Sequence, residues 1–307
     1  METRPSLGPF NRSLVAKHRD RAAARFGQVS FLKDRAIEDI CDRIAIINRS
    51  FDRGIDVGSH GGFLAAAMKQ RPDIEQKIGF LAQCDVSPAM MAGAPEFGFV
   101  GDEEHLPLAE KSLDLFVSAL SLHWVNDVPG FLAQARLALR PDGLFLGSFL
   151  GGRTLQELRA VFVQAETDLG REPGPRVSPF ADAQDGAQLL QRAGFALPVA
   201  DSDVVTVRYD SVFGLFRDLK AMGETASFGG QSGKPLTRTI IARAADLYAE
   251  KFADPDGRIR ATFEIITLTG WSPHESQQKP LRPGSAKMRL AEALGGVEVS
   301  TGEKPNG

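Results

Sequence analysis

The strongest constraint on this chain is the stretch GIDVGSHGGF at 54–63. Ile55, Asp56 and Val57 alternate into Gly58, two more glycines follow at 61 and 62, and an apolar FLAAAM run comes next. That order predicts a buried strand, a tight turn and the start of a helix. Glycines at 58, 61 and 62 permit positive φ and let a ligand approach the backbone with no Cβ in the way, while the free N–H groups of the new helix point at it. The turn is of the nucleotide-cradling kind. A dinucleotide fingerprint would read G-x-G-x-x-G with a pyrophosphate on the helix end; the pattern here, Asp-x-Gly-x-x-Gly-Gly, fits it poorly.

What surrounds the turn predicts an α/β protein. Asn11 opens a polar helix running to about residue 25, and a second follows from Phe31 with Leu32, Ile37, Ile40, Cys41, Ile44 and Ile47 on one stripe. After the turn a helix ends near Arg71-Pro72, because proline cannot continue the hydrogen-bond ladder. The apolar run IGFLAQCD ends on Asp85, where an acid can accept from both hydroxyls of a ribose, or cap the helix starting at Ser87-Pro88. A short strand at 98–100 leads into Asp102-Glu103-Glu104, acids able to read an adenine amino group. A fourth strand, SLDLFVS, runs out at Leu120 and is followed by His123-Trp124; a helix, an Arg140-Pro141-Asp142-Gly143 turn and the strand LFLGSFL complete five β/α repeats. Ligands of open α/β sheets sit at the carboxyl ends of the strands, which puts His123 and Trp124 beside the reacting centre. Helices over 154–169 and 182–193, a sixth strand at DSDVVTVRY, helices over 210–222 and 237–252 around a mobile loop at 229–234, and a seventh strand over 261–271 follow.

Composition narrows the partners. A formal charge of -3 and a pI near 6.0 give no general pull towards nucleic acid or anionic lipid. Two cysteines, Cys41 and Cys84, make no framework and no ligand spacing, so both are expected as core thiols in a reducing compartment. The five histidines show no metal-triad spacing, so no metal site is expected. No apolar run reaches the roughly 20 residues of a membrane span, and no secretory signal opens the chain. Residues 1–35 are rich in Arg and Lys like an organelle presequence, but the spacing from Asn11 onward is that of a first helix.

Gly58, Asp85, Asp102, His123-Trp124 and L-R-P-D-G, in that order over 54–150, resemble the class I S-adenosylmethionine (SAM) dependent methyltransferases. His60 departs from the pattern, standing where that family has a glycine. Over about 10–290 the chain also resembles the mitochondrial complex I assembly factor 5 family and its bacterial relatives, through Phe10-Asn11-Arg12, DEEHLPL, SLHWVND, LRPDG, SPF at 178–180, RAGF, DLKAMGE and GWSPHES. A more distant likeness is to the malonyl-carrier-protein methyltransferases of biotin synthesis.

The resemblance implies a Rossmann-like seven-stranded sheet over 54–271 with an N-terminal helical cap at 1–53, a helical insertion at about 210–258 between the last two strands, and a loosely ordered tail at 272–307. It implies SAM as cofactor, held by Asp56, Gly58, Ser59, Gly62, Asp85, Asp102, Glu103 and Leu120. His123 and Trp124 are then the catalytic candidates, and Phe10, Arg12, Met222, Glu224 and Trp271 the acceptor-side ones. It further implies a protein substrate, a subunit of respiratory complex I, modified by methyl transfer or, as the human member of the family is regarded, by arginine hydroxylation. A malonyl-carrier or small-molecule methyltransferase and a non-catalytic assembly chaperone are the alternatives. The expected compartment is the cytoplasm for a bacterial chain and the mitochondrial matrix for a eukaryotic one.

Overall fold

The strand anticipated at 54 begins earlier, at Phe51. β1 (Phe51–Val57) lies in the middle of one seven-stranded sheet with β2 (Ile78–Asp85), β3 (Gly98–Val100), β4 (Leu113–Ser118), β5 (Leu139–Leu150), β6 (Ala196–Tyr209) and β7 (Ile259–Trp271). The strand order is β3-β2-β1-β4-β5-β7-β6, with the first five parallel and β7 antiparallel to both neighbours. The structure is a computed structural model, and it describes residues 8–94, 97–229 and 235–278. The mobile loop expected at 229–234, apart from Gly229, and most of the tail expected from 272 lie outside the described residues.

Helices alternate with the strands as the apolar periodicity requires. Ahead of β1 come α1 (Arg12–Ala22) and α2 (Phe31–Ile46); α3 (Phe63–Gln70), α4 (Pro72–Glu75), α5 (Pro88–Met91) and α6 (Val128–Ala138) separate the parallel strands. α7 (Gln156–Asp168) and α8 (Ala183–Arg192) precede β6, and α9 (Val212–Met222) with α10 (Arg238–Phe252) forms the insertion before β7. Caps fix several starts: Asn11 accepts from the Leu14 N–H, Asp127 from Gly130, and Asp182 with Asp185 makes a capping box. The LRPDG turn is absorbed into β5 as a bulge. Its ladder to β4 pairs Leu113 with Leu139 and Leu115 with Leu144, and Asp142 between them takes φ 64°.

α2 belongs to the core of the sheet. Its stripe of Ile37, Ile40, Cys41 and Ile44 joins Phe51, Leu64, Ile78 and Leu115 in one buried cluster, each such side chain contributing about 1.5–3 kcal/mol of burial. The described residues as far as Pro273 belong to one compact unit, α1 and α2 among them. Cys41 and Cys84 are buried free thiols. β7 runs against the sheet, so its first half reaches the carboxyl ends of the parallel strands, Ile265 opposite Leu150, while Trp271 pairs with Leu144 at the other end. Trp271 packs there against the buried cluster that contains Leu144. It is removed from the site by the direction of its strand, which alternation in the sequence does not reveal.

Candidate functional site

The turn after β1 makes the floor. Gly58 takes φ 73°, and a Cβ on it would lie 2.3 Å from Ser121 Oγ, so glycine is required by both backbone and space. His60 adopts φ 52° despite its side chain. Three contacts hold it there: its N–H donates to Asp85 Oδ2 (3.0 Å), its Nδ1 lies 2.7 Å from the Gly58 carbonyl, and its ring stacks on Phe26 at 5.0 Å. Burial, then the neighbouring Lys33 and Arg19 charges, push its pKa well down, so it is neutral.

Acids gather above this floor. Asp85 is fully buried at the end of β2 and accepts from the Ser87 N–H (3.0 Å) as well as from His60. The helix cap of α5 is Ser87, whose hydroxyl accepts from the Met90 N–H, and Asp85 only holds the Ser87 N–H ahead of it. Glu103 is equally buried, and Ser121 Oγ donates to it at 2.8 Å. Asp56 is enclosed, with no hydrogen-bond partner for either carboxylate oxygen among the described residues; burial raises its pKa to about 6, against the pull of Lys33.

Two cations that sequence reasoning did not single out complete this cluster. Arg19, fully buried under α1, donates from Nη1 to Glu103 (2.9 Å) and Asp85 (3.3 Å) and from Nη2 to Ser121 Oγ (2.8 Å). Burial opposes its charge, but Asp85 and Glu103 outweigh that and raise its pKa; the same interaction, with Arg12, lowers Glu103 to about 2. Lys33, in the first turn of α2, donates to the Gly58 carbonyl (2.9 Å) and the Ala119 carbonyl (2.7 Å), and burial lowers its pKa to about 8. A signal was present: Lys33 falls four residues before Ile37 on the apolar stripe, and Arg12, Val15, Arg19 and Ala22 share one face of α1.

The acceptor-side candidates divide. Glu224, just after α9, receives Trp124 Nε1 (2.9 Å) and His123 Nε2 (3.0 Å) on one oxygen, and its other oxygen is not hydrogen-bonded among the described residues. Burial works against its charge, yet His123 and Arg19 keep its pKa below the usual carboxylate range. The other nitrogen of His123 accepts from the Leu150 N–H at 3.5 Å, so both ring nitrogens are engaged. Trp124 is buried with Phe10 edge-on at 5.2 Å, which covers the ring expected to face the reacting centre. Met222 lines a small cavity with Glu224, Lys33, His60, Leu120 and His123. Arg12, expected on the acceptor side, is drawn to the acids after β3: it pairs with Asp102 (2.8 Å) and Glu103 and donates to the Trp124 carbonyl (2.8 Å). Carboxylates some ninety residues on in the chain decide its place.

Beyond Glu224 opens a chamber of about 310 Å³ between α7, α9, α10 and β7. Leu158, Phe162, Phe180, Phe216, Leu219 and Phe263 line it, with Trp124 and Glu224 at one end and Arg176 in the wall. Arg176 pairs with the buried Glu166. Among the described residues no group of three or more His, Cys, Asp or Glu is placed to hold a metal ion, and no helix is long and apolar enough to cross a membrane.

A methyltransferase-domain family model matches residues 55–147. The structure overlays the YcgJ protein of Bacillus subtilis with a TM-score of 0.54 at 13% identity, over 78% of this chain and 99% of that one. Strand order, glycine turn and strand-end acids together make this a class I SAM-dependent methyltransferase. The chain is 37% identical to mouse mitochondrial arginine-hydroxylase NDUFAF5 over 97% of its own length and 88% of that protein. It is 31% identical to the malonyl-[acyl-carrier protein] O-methyltransferase of Laribacter hongkongensis, over 89% and 94%. It belongs to the NDUFAF5 family.

SAM carries a primary ammonium, a ribose diol and an adenine amine, all hydrogen-bond donors. The cradle offers matching acceptors in the Gly58 and Ala119 carbonyls, Asp85 and Glu103, so the residues present fit the cofactor chemically. The same four acceptors hold Lys33 and Arg19.

Proposed function

We propose that this chain modifies a cationic side chain, arginine before lysine, of a protein partner, and that the partner is a subunit of respiratory complex I. The observation that carries this is Glu224. It is an anionic carboxylate fixed by His123 and Trp124 at the end of an apolar chamber, with one oxygen left for a ligand. An arginine combines an apolar stem with a planar cation, and a carboxylate at the end of an aromatic-lined slot matches both parts. The resemblance to NDUFAF5, whose name gives arginine hydroxylation, supports the same class of acceptor.

Bound SAM supplies an electrophilic methyl group, so methyl transfer asks of the protein mainly placement in a water-poor pocket. Glu224 is positioned to hold the acceptor and take the proton it releases. His123 and Trp124 serve as positioning residues for that carboxylate, with both His123 nitrogens already committed. Hydroxylation would need an oxygen activator in addition.

Arg176 in the chamber wall favours a second reading, because a malonyl carboxylate would seek such a cation, as a substrate of the L. hongkongensis relative would. Arg176 is held by Glu166, which ranks this reading second. The test is mass spectrometry of complex I subunits and of malonyl-carrier protein after incubation with the wild type and with Glu224→Gln. A gain of one methyl or one oxygen on a subunit arginine, lost in the variant while S-adenosylhomocysteine still binds, is expected. Methylation of the malonyl carrier alone would establish the second reading, and no modification of either would leave the assembly-chaperone role.

A further inference from the structure

The acceptors of the cradle are already taken: Lys33 Nζ lies on the Gly58 and Ala119 carbonyls and Arg19 Nη1 on Asp85 and Glu103. Beside Lys33, a cavity lined also by His60, Leu120, His123 and Glu224 measures about 30 Å³, the space of one water. We propose that Lys33 and Arg19 form a built-in plug: they occupy the ammonium and ribose positions of the cofactor cradle, and SAM binds by displacing them. This goes beyond the choice of acceptor and does not depend on it.

Chemistry at each contact supports displacement. Lys33 brings a primary ammonium to two backbone carbonyls at the ends of β1 and β4, 2.9 and 2.7 Å away. The cofactor's own primary ammonium is the same group and competes for the same carbonyls. Arg19 donates to Asp85 and Glu103, the acids positioned for a ribose diol and an adenine amine. Buried carboxylates and carbonyls left without donors cost several kcal/mol, so the cradle must be filled by something when the cofactor is away. The chain's two cations do this.

The two helices that carry the plug are anchored differently. α2 is fixed by its apolar stripe, so Lys33 leaves by rotating about its own flexible side chain. α1 buries Arg12, Val15, Arg19 and Ala22, a face half arginine. What holds α1 is mostly polar: Arg12 on Asp102 and Glu103, Asp20 on Ser87 (2.5 Å), and His18 on Ser227 (2.9 Å), with Val15 in the small apolar cluster of Phe10 and Trp124 and Ala22 in that of Phe26 and Met90. Once a ligand takes the partners of Arg19, little apolar burial keeps α1 in place, and segments with few buried apolar contacts open first.

The full chain, S-adenosylhomocysteine as probe, and Lys33→Met test this. Methionine keeps the apolar stem but no longer caps the two carbonyls, so the closed form loses its advantage and apparent affinity rises with the open fraction. Calorimetry is expected to show about tenfold tighter binding in Lys33→Met than in the wild type. Hydrogen exchange on the wild type is expected to show faster exchange at 12–22 when the probe saturates. Equal or weaker binding by the variant, no binding by either protein, or slower exchange at 12–22 would overturn the proposal. Should the variant fail to fold, the wild-type exchange measurement decides alone. All these readouts are independent of any acceptor, so they stand or fall apart from the proposed function.

Discussion

Two spaces meet at Glu224, and they are filled in opposite ways. On the cofactor side, Asp56, Asp85, Glu103, Arg19, Lys33 and His60 are buried, and the cavity lined by Lys33, His60 and Glu224 measures about 30 Å³; on the other, an apolar chamber of about 310 Å³ stays open. Charge explains the contrast. Buried carbonyls and ionised carboxylates are costly without donors, so Arg19 and Lys33 cover Asp85, Glu103 and the Gly58 and Ala119 carbonyls, while Asp56, which has no such donor among the described residues, bears the cost as a raised pKa. Phenylalanine and leucine walls have nothing to satisfy, and an apolar cavity tolerates emptiness.

The comparison breaks most visibly at Arg19. Arg19→Ala leaves Asp85 and Glu103 as buried charges with one cation fewer, and breaking a buried pair from one side costs about 3–5 kcal/mol. Denaturant unfolding should show a loss of that order. A loss under about 1 kcal/mol would mean that the cluster is open to water and that the cradle is not closed. S-adenosylhomocysteine, which supplies hydroxyls and an ammonium to the same acceptors, should recover part of the lost stability.

Asp56 sharpens it next. The Asp56 pKa is about 6 in the fold and near the ordinary 3.8 when unfolded, so the folded state binds this proton more tightly. The ionised group therefore costs stability at pH 7, and the cost is removed as pH falls through 6 towards 4. Asp56→Asn should be more stable than the wild type by on the order of 3 kcal/mol at pH 7, with the gap closing by pH 4. Other carboxylates titrate alike in both proteins and cancel in the difference. A gap that widens on acidification would show that Lys33 holds Asp56 as a stabilised anion, and the cluster would then be a satisfied ion pair.

Much of this was legible in the sequence, and the failures have a common origin. Alternation and glycine placement located β1, β4 and the turn at Gly58, and the rule that ligands gather at strand ends brought forward Asp85, Glu103 and Leu120, all buried around the cradle. Position along a strand is a local property. Arg19 and Lys33 went unnoticed because a cation on a helix normally reads as solvent-facing, and their burial is decided by Asp85, Glu103 and two carbonyls that lie 25 to 86 residues away in the chain. Trp271 was misplaced because a period of two gives the faces of a strand and not its direction. Trp124 lines the chamber beside Glu224, and Phe10, contributed from more than a hundred residues upstream, packs edge-on against its ring, a contact that no local pattern gives.

The smallest expected effect probes the chamber. Phe216 lines it from α9 and is partly buried, stacking on Phe162 at 6.2 Å. Adding bulk to a close-packed core costs about 1–3 kcal/mol, because neighbours must leave their rotamers. Beside an open chamber the added ring of Phe216→Trp has space to enter, so unfolding should shift by less than about 1 kcal/mol. The cradle lies on the far side of Glu224, so S-adenosylhomocysteine affinity should stay at the wild-type value. Modification of the protein partner should fall sharply, since the slot for its side chain is now occupied. A stability loss of the ordinary core size would mean that the chamber walls are tightly packed and unable to admit a side chain. Unchanged modification with unchanged stability would move the acceptor out of this chamber, and the apolar wall beside Phe10, Val128, Phe149 and Leu189, a smaller cavity of about 170 Å³ that also touches His123, would be its next place.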